Sequence, residues 1–284
     1  MSTPVQIKKP ASVVGSRSES RFKKTTGFIY REYGAPTVSV ALLFIIWQVA
    51  VEAFHVPSYF LPAPLKIINV MIAKSHILAT NSWVTIYEIL IGFSLSVIVG
   101  IPVAILITYS KTMEKALYPL LVGAQTIPKV AIAPLFVVWF GFGTLPKVLL
   151  TFLIAFFPIV VDSVVGFRSL RSEMIDLGKT MGASVWQMFE RIKLPQAMPS
   201  IFGGLKIALT LAVVGAIVAE FVGADKGLGY LLVLANGNLD MPMLFATLIV
   251  LTIIGVISYY LIDIVESLAI PWHVSKQQEA KSRH

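Results

Sequence analysis

Six long apolar runs, separated by short polar segments, make up most of the chain. A helix that crosses a bilayer needs about 20 predominantly apolar residues. The runs that approach or exceed this length lie at residues 38–54, 83–108, 117–140, 148–166, 201–222 and 244–268. The pattern predicts an all-α integral membrane protein with about six transmembrane helices, which places both termini on the same side of the membrane.

The composition supports a bilayer environment and limits the available chemistry. Hydrophobic residues make up 56% of the 284 residues and charged residues 13%, whereas soluble domains carry about 25% charged residues. No cysteine is present and the histidines are scattered, so neither a thiolate nor a histidine-cluster metal site is expected. We predict one membrane domain at residues 37–268, flanked by tails at 1–36 and 269–284, with no catalytic residue, metal or cofactor of its own.

Lysine and arginine are concentrated in alternate polar segments, which predicts the orientation in the membrane. The basic segments are the N-terminal tail, the second loop with Lys111 and Lys115, the fourth loop and the C-terminal tail. The intervening loops hold only Lys66, Lys74, Lys147 and Lys226. Both termini and the fourth loop are therefore predicted to be cytoplasmic. This orientation explains the net charge of +8, and no nucleic-acid partner is expected.

The fourth loop, at about 168–199, has the pattern of two short amphipathic helices joined at Gly182. The apolar positions before and after that glycine recur at helical spacing. They are Met174, Leu177 and Met181, followed by Val185, Phe189 and Ile192. Ser184 and Gln187 have the spacing of a capping box at the start of the second helix, and Pro195 is predicted to stop that helix. A helix, a glycine joint and a second helix form a compact surface that suits a groove on a partner protein.

This spacing resembles the EAA loop of the permease subunits of binding-protein-dependent ABC transporters. The motif reads Glu-Ala-Ala, three residues, Gly, nine residues, Ile-x-Leu-Pro, and its second half matches Gly182, Ile192, Leu194 and Pro195. The triplet appears as Asp176-Leu177-Gly178, in which Leu177 departs from the smaller alanine of the family. The resemblance implies that a coupling surface contacts an ATPase. Its residues would be Asp176, Leu177, Gly178, Gly182, Ala183, Ile192, Leu194 and Pro195.

Another interpretation of the same loop is a pair of helices that lie on the bilayer surface. The basic residues of the loop would then bind anionic lipid. They are Arg168, Arg171, Lys179, Arg191 and Lys193. We favour the docking interpretation, because a surface helix has no need of a fixed spacing from glycine to proline.

Two further segments resemble the nitrate, sulfonate and taurine subgroup of these permeases. They are residues 132–143 and 219–229. The resemblance implies an importer subunit of the bacterial cytoplasmic membrane that carries a sulfonate, nitrate, taurine or related compound, or a heterocycle similar to a thiamine precursor. It also implies two copies of an ATP-binding subunit that hold ATP and Mg²⁺, a periplasmic or lipid-anchored solute-binding protein, and a second copy of this chain. ATP-driven closure of the ATPase pair would move the helices around Gly182.

Polar residues and prolines inside the apolar runs are candidates for the translocation path, because they are costly there. Lys129 follows Pro128, and with Pro119 and Pro134 it indicates a broken third span that lines a path. The alternative is a late helix start that leaves Lys129 to extend towards one end of the span. Glu220 either pairs with Lys226 at the outer interface or faces a central cavity. The path candidates are thus Lys129, Pro134 and Glu220.

Three other charged residues within the apolar runs have plainer expected roles. Asp162 and Lys206 lie near the predicted cytoplasmic ends, where pairing at a helix end is expected, and Glu88 lies near an outer end. The small residues of the fifth span allow helices to pack closely, either within one chain or at a dimer interface. They include Ala208, Ala212, Gly215, Ala216 and Ala219.

Two other classes of function remain possible from the sequence. A secondary transporter driven by protons or sodium would use Glu88, Asp162 or Glu220 as its coupling carboxylate. A membrane scaffold would transport nothing and would leave the broken span and the intramembrane charges unexplained. Neither class needs the docking loop.

Overall fold

The computed structural model describes residues 38–272. The predicted basic tail and the end of the C-terminal tail lie outside the described residues. The chain divides after Leu65 into two compact units. In the first, the described part consists of one apolar helix, α1 (Val38–Ala53), and the turns that follow it. Within this first unit, the Gln48 side-chain oxygen of α1 accepts a hydrogen bond of 3.1 Å from the Leu65 amide.

The rest of the described chain is helical, and no strand occurs among residues 38–272. After α1 the helices are α2 (Pro64–Ala73), α3 (Ser75–Tyr109), α4 (Lys111–Gln125), α5 (Lys129–Phe140), α6 (Thr144–Arg168), α7 (Ser172–Thr180), α8 (Val185–Met188), α9 (Leu194–Gly223), α10 (Leu228–Gly237) and α11 (Met241–Ala269). A π-helical turn at Phe189–Lys193 joins α8 to α9. The all-α architecture predicted from the apolar runs is confirmed.

Four of these segments are long and apolar enough to cross a membrane. They are α3, α6, the continuous Val185–Gly223 segment that contains α8 and α9, and α11. The bent pair α4 and α5 adds a fifth span if the pair is counted as one. The sixth predicted span corresponds to α1, which is apolar but shorter and would extend roughly 24 Å at 1.5 Å per residue.

Helix α6 lies between α3 and α9, and both neighbours approach it closely at Thr151. A Cβ atom placed on Gly92 of α3 would lie 2.6 Å from the Thr151 methyl carbon, and one on Gly215 of α9 would lie 3.1 Å from the Thr151 Cα. Ala208, Ala212 and Ala216 of α9 are completely buried within this chain. The small residues of the fifth span therefore serve packing inside one subunit, which was the first of the two predicted uses.

Replacing Gly92 with leucine is expected to destabilise the membrane domain by about 2–4 kcal/mol, because the side chain would collide with Thr151 and with the Phe152 backbone. Gly255 in α11 provides a matched control, since nothing lies within 4 Å of a Cβ placed there. Thermal unfolding of the two purified variants in the same detergent measures the difference. Equal melting temperatures for Gly92→Leu and Gly255→Leu would contradict the close packing of α3 on α6.

The third predicted span is broken, as its prolines suggested, but only one of them marks the break. Helices α4 and α5 meet at an angle of 97° around Pro128. Pro119 and Pro134 instead lie inside α4 and α5. Near the break, the Thr126 hydroxyl donates to the Gly123 carbonyl oxygen at 2.7 Å and the Lys129 ammonium donates to that of Gln125 at 3.2 Å. These side chains add hydrogen bonds to carbonyl groups of the last turn of α4.

Candidate functional site

The joint at Gly182 is a helix C-terminus that requires glycine. Gly182 has φ of +76°, in the left-handed region. Its amide donates to the Lys179 carbonyl oxygen at 3.0 Å, and the Ala183 amide donates to that of Gly178 at 3.0 Å. This pair of hydrogen bonds is the Schellman arrangement, which satisfies the last carbonyl groups of α7. The predicted glycine joint between two helices is confirmed as local structure.

The second helix of the loop begins with the predicted capping box. The Ser184 hydroxyl accepts a hydrogen bond of 3.2 Å from the Gln187 amide, and the Gln187 side-chain oxygen accepts one of 2.9 Å from the Ser184 amide. Together with the Schellman arrangement, the box fixes the chain on both sides of Ala183. The direction of α8 relative to α7 is therefore set by main-chain hydrogen bonds.

Pro195 does not stop the helix, and this part of the sequence prediction is wrong. The chain passes from α8 through the π-helical turn into α9 without interruption. In the turn, the Leu194 amide donates to the Phe189 carbonyl oxygen, five residues earlier. Pro195 follows in the first turn of α9, where a missing amide hydrogen is tolerated because the wider turn has already shifted the hydrogen-bond register. Movement of α8 is consequently connected to the long α9.

The loop exposes several large apolar side chains, and we call the four most exposed of them the apolar patch. Leu177, Met181, Val185 and Trp186 are between 57 and 79% exposed. Gly178 and Met188 lie beneath them and are buried, and a Cβ atom on Gly178 would be 2.6 Å from the Met188 methyl carbon. Trp186 was not predicted, because it falls outside the helical repeat of the loop. Exposed apolar clusters of this kind are typical of interaction surfaces.

The remaining candidate residues lie at the edges of the patch. Asp176 is exposed and lies 3.7 Å from the ammonium group of Lys179, also exposed, an arrangement that contributes little stability. Ala183, Ile192, Leu194 and Pro195 are partly buried. The structure therefore places the loop residues of the motif around one helix–joint–helix unit, while their contact with an ATPase stays a prediction.

Two of the basic residues that could have bound lipid instead contact protein. The Arg168 guanidinium lies 2.6 Å from a Glu114 carboxylate oxygen and 4.4 Å from the ring centroid of Tyr118. The Lys193 ammonium lies 4.4 Å from the ring centroid of Tyr109. These contacts fasten the loop to α3 and α4, and they favour the docking interpretation over helices that rest on the bilayer surface.

Phe189 is the main contact between the loop and the spanning helices. Its ring centroid lies 6.0 Å from that of Tyr109 at the end of α3, 6.0 Å from that of Phe167 at the end of α6, and 5.8 Å from that of Trp186. Phe189 begins the π-helical turn, a feature that is frequent at functional sites. Displacement of α8 would therefore act on α3, α6 and α9 together.

Replacing Phe189 with alanine is expected to loosen the loop without unfolding the chain, since it removes three aromatic contacts worth about 0.5–1.5 kcal/mol each. Amide hydrogen exchange of the purified protein measures this. Exchange should become faster across residues 182–193 and stay unchanged in the middle of α6. Phe245 of α11, outside the loop, provides a control position. Unchanged exchange in the Phe189→Ala loop would show that the aromatic contacts do not fix it.

The three path candidates do not share one environment. Lys129 and Pro134 lie on α5, where Pro134 is exposed and the Lys129 ammonium lies 5.0 Å from the Phe157 ring centroid. Ala133 packs near Ala219, so α5 runs beside the end of α9 that carries Glu220. Glu220 itself points into the protein and is 1% exposed. A role for these residues in translocation stays a prediction.

Glu220 does not pair with Lys226; its hydrogen-bond partners come from two other helices. One carboxyl oxygen accepts a hydrogen bond of 2.7 Å from the Thr85 hydroxyl of α3, and the other accepts from the Gly229 amide of α10. The Thr85 hydroxyl in turn accepts a bond of 2.8 Å from the Leu228 amide, and the Asn81 side-chain oxygen accepts one of 2.7 Å from the Gly227 amide. These bonds anchor the connection between α9 and α10 to α3, because a buried donor without a hydrogen-bond partner would cost free energy.

Lys147 lies in α6, not in the loop to which the sequence assigned it. It forms an ion pair with Glu88 of α3, and both side chains are buried. Lys147 stands four residues after Gly143 at the edge of an apolar run, which made it look like a loop residue. Glu88 offers the one signal of this pair in the sequence, because an isolated acidic residue within an apolar run requires either a cation or a proton.

Lys206 is paired, as expected, although it lies in the interior of α9. Its ammonium lies 2.6 Å from an Asp263 oxygen and 2.5 Å from a Glu266 oxygen of α11. Asp162 packs close to Gly204 of α9, since a Cβ atom placed on Gly204 would lie 2.7 Å from the Asp162 Cβ. No group of three or more histidine, aspartate or glutamate residues suited to a metal ion occurs within residues 38–272.

The sequence is similar to several named transport permeases. It is 39% identical to the formylaminopyrimidine transport permease protein ThiX of Halalkalibacterium halodurans, over 85% of this chain and 98% of that protein. It is 35% identical to the riboflavin transport system permease protein RibX of Chloroflexus aurantiacus, over 92% and 97% of the two chains. It is 30% identical to the putative aliphatic sulfonates transport permease protein SsuC of Bacillus subtilis, over 83% and 86%.

The fold is also similar to a solved structure, an inward-facing conformation of the MetNI methionine ABC transporter. The TM-score is 0.60 with 18% sequence identity, and the alignment covers 69% of this chain and 97% of the other. At this identity the similarity establishes the fold alone.

Residues 96–270 match the family model described as the binding-protein-dependent transport system inner membrane component. This range contains α6, the loop around Gly182 and α9, so the predicted EAA loop lies within the matched region. The permeases above match over most of their length, and sulfonate transport proteins are among them, as the subgroup resemblance implied. The chain therefore belongs to the family of inner membrane components of binding-protein-dependent transport systems and is a multi-pass ABC importer permease subunit.

Proposed function

We propose that two copies of this chain form a path for a small solute, which an external binding protein delivers. Each copy would place its apolar patch in a groove of one ATP-binding subunit in the cytoplasm. ATP-driven closure of the ATPase pair would displace α8, and the displacement would reach α9 through the π-helical turn and α3 and α6 through Phe189. The spans would then open the path outward, and hydrolysis would reset the dimer.

One observation carries this proposal: four exposed apolar side chains stand on a loop whose conformation is fixed. Main-chain hydrogen bonds at Gly182 and Ser184 hold the joint, and aromatic contacts at Phe189 hold the base. A surface that is both apolar and held in one conformation loses little entropy when it binds a partner. The patch therefore has the properties of a docking surface that transmits force.

The orientation follows from the charges of the polar segments. Lys111 and Lys115 lie at the start of α4, and Arg171, Lys179 and Arg191 lie in the loop around Gly182. An excess of lysine and arginine marks the cytoplasmic side of a membrane protein. The loop and both termini would therefore face the cytoplasm, where an ATP-hydrolysing partner is found.

For the solute, we propose a small nitrogen heterocycle, with formylaminopyrimidine as the first compound to test. The support is the 39% identity to ThiX over nearly its whole length. A sulfonate, nitrate or taurine is the second candidate class, supported by the 30% identity to SsuC. The proposed site residues Lys129, Pro134 and Glu220 do not choose between these classes.

Uptake into cells that carry the chain with its cognate ATPase and binding protein tests the function. Uptake of labelled formylaminopyrimidine should continue when the ion gradients are collapsed and stop when ATP is depleted. Taurine and an aliphatic sulfonate serve as competing solutes. The opposite dependence, with uptake lost on collapse of the gradient and retained without ATP, would support a secondary transporter and contradict the proposal. Preferential uptake of taurine or the sulfonate would reject only the heterocycle.

A further inference from the structure

Three ionisable side chains from three helices form a buried group, of which only Glu220 is a candidate for the translocation path. Glu88 of α3 is 0% exposed, Lys147 of α6 is 5% exposed and Glu220 of α9 is 1% exposed. Lys147 and Glu88 form an ion pair, and Glu220 accepts a hydrogen bond from Thr85, which lies three residues before Glu88 on the same face of α3. We call these three residues the carboxyl–lysine cluster.

The charges of this cluster do not balance if both carboxyl groups are ionised. The cluster holds one cation, Lys147, and two carboxyl groups, those of Glu88 and Glu220. One cation would then face two anions, which leaves a net negative charge in the interior of a membrane protein. An isolated buried charge is so costly that the group takes up a proton instead. Two carboxyl groups that share a site commonly keep one proton for the same reason.

We propose that Glu88 and Glu220 hold one proton between them at neutral pH, so that the cluster is a proton-binding site with no net charge. The proton belongs to Glu220. Lys147 pairs directly with Glu88 and stabilises its carboxylate. Glu220 has only neutral donors, the Thr85 hydroxyl and the Gly229 amide. Its acidic hydrogen can be donated to the Glu88 carboxylate.

The hydrogen bonds of the site accommodate this proton. The Thr85 hydroxyl donates to Glu220 at 2.7 Å, with the Asn81 carbonyl oxygen as a second acceptor at 3.2 Å, and it accepts from the Leu228 amide. A protonated Glu220 keeps enough lone pairs to accept from Thr85 and from Gly229 while it donates to Glu88. Every group in the network then has a partner. With Glu220 ionised, no hydrogen would separate its oxygens from those of Glu88.

Charge balance makes a numerical prediction for variants. The number of retained protons should equal the number of carboxyl groups minus the number of lysines in the cluster. The wild-type chain should retain one proton, and both Glu220→Gln and Glu88→Gln should retain none. Lys147→Met should retain two, because Glu88 loses the cation that keeps it ionised. Glutamine preserves the shape of glutamate and removes its charge, so Glu220→Gln and Glu88→Gln are expected to fold.

Infrared spectroscopy of the purified full-length chain in lipid nanodiscs counts these protons. A protonated carboxyl group has a C=O stretch above the carboxylate bands, and a buried one exchanges slowly in D₂O. One such band should be present in the wild type at pH 7 and absent from Glu220→Gln. It should also be absent from Glu88→Gln and doubled in Lys147→Met. Size-exclusion chromatography confirms that each variant is folded before it is measured.

Two results would overturn the proposal. If the wild-type and Glu220→Gln spectra differ only in carboxylate bands, Glu220 is ionised and the site holds no proton. If the acid band persists in Glu88→Gln, burial of Glu220 alone retains the proton and charge balance with Glu88 and Lys147 plays no part. A failure of Lys147→Met to fold would not affect these two comparisons. None of the measurements depends on the solute or on the ATPase, so they remain informative if the proposed function is wrong.

Discussion

Replacing Glu220 with alanine is expected to destabilise the protein by about 3–5 kcal/mol. The change removes the acceptor of the Gly229 amide and the nearer of the two acceptors of the Thr85 hydroxyl, in a region that is closed to solvent. A buried donor left without a partner costs about 1–3 kcal/mol, and the lost side chain also leaves a cavity. The connection between α9 and α10 would lose its anchor on α3.

Thermal unfolding of the purified chain in one detergent measures this effect, with Glu220→Gln as the matched control. Glutamine retains an oxygen that accepts a hydrogen bond and gains an amide group that can donate to Glu88. The glutamine variant should therefore unfold within about 1 kcal/mol of the wild type. Equal destabilisation by alanine and glutamine would show that a charged carboxylate is required. An alanine variant as stable as the wild type would show that the network does not anchor the loop.

The second large effect is expected at Gly182, where tryptophan should abolish solute uptake while the chain remains folded in the membrane. Nothing lies within 4 Å of a Cβ atom placed at Gly182, so the new side chain would project from the chain and not into it. There it would meet whatever occupies the surface of the loop. A loss of only 1.4 kcal/mol of docking energy weakens association tenfold, and a misplaced indole ring would cost more.

Gly182→Asn separates this steric effect from backbone strain. A residue other than glycine at a φ of +76° is strained, by roughly 1–2 kcal/mol for most side chains, and asparagine tolerates this region better than most. Uptake by cells that express each variant at equal membrane levels gives the comparison. Asparagine should retain most of the uptake and tryptophan less than about a tenth. Normal uptake by Gly182→Trp would remove the loop from the coupling mechanism.

The loop could be predicted from the sequence because its structure depends on local signals. A positive φ selects glycine at position 182, and a capping box needs only Ser184 and Gln187 at their fixed spacing. Pro195 was misjudged for a physical reason. Proline disrupts an ordinary helix register, but the π-helical turn before it changes that register.

The carboxyl–lysine cluster could not be predicted because its members are distant in sequence. Each residue alone has a plain interpretation, and Lys147 at the edge of an apolar run looks like a loop lysine. Only the packing of α6 between α3 and α9 brings Glu88, Lys147 and Glu220 together. The choice between packing and a dimer interface for the small residues of α9 depended on the same helix arrangement.

The coupling role of the loop is tested by isolating the tagged chain gently from its native membrane and identifying the proteins that accompany it. Mass spectrometry should find an ABC-type ATPase with the wild-type chain and with Gly182→Asn. The ATPase should be lost from Gly182→Trp, although that variant is recovered in equal amount. Recovery of all three chains without any ATPase, under conditions that preserve known complexes, would contradict the docking of an ATPase at the apolar patch.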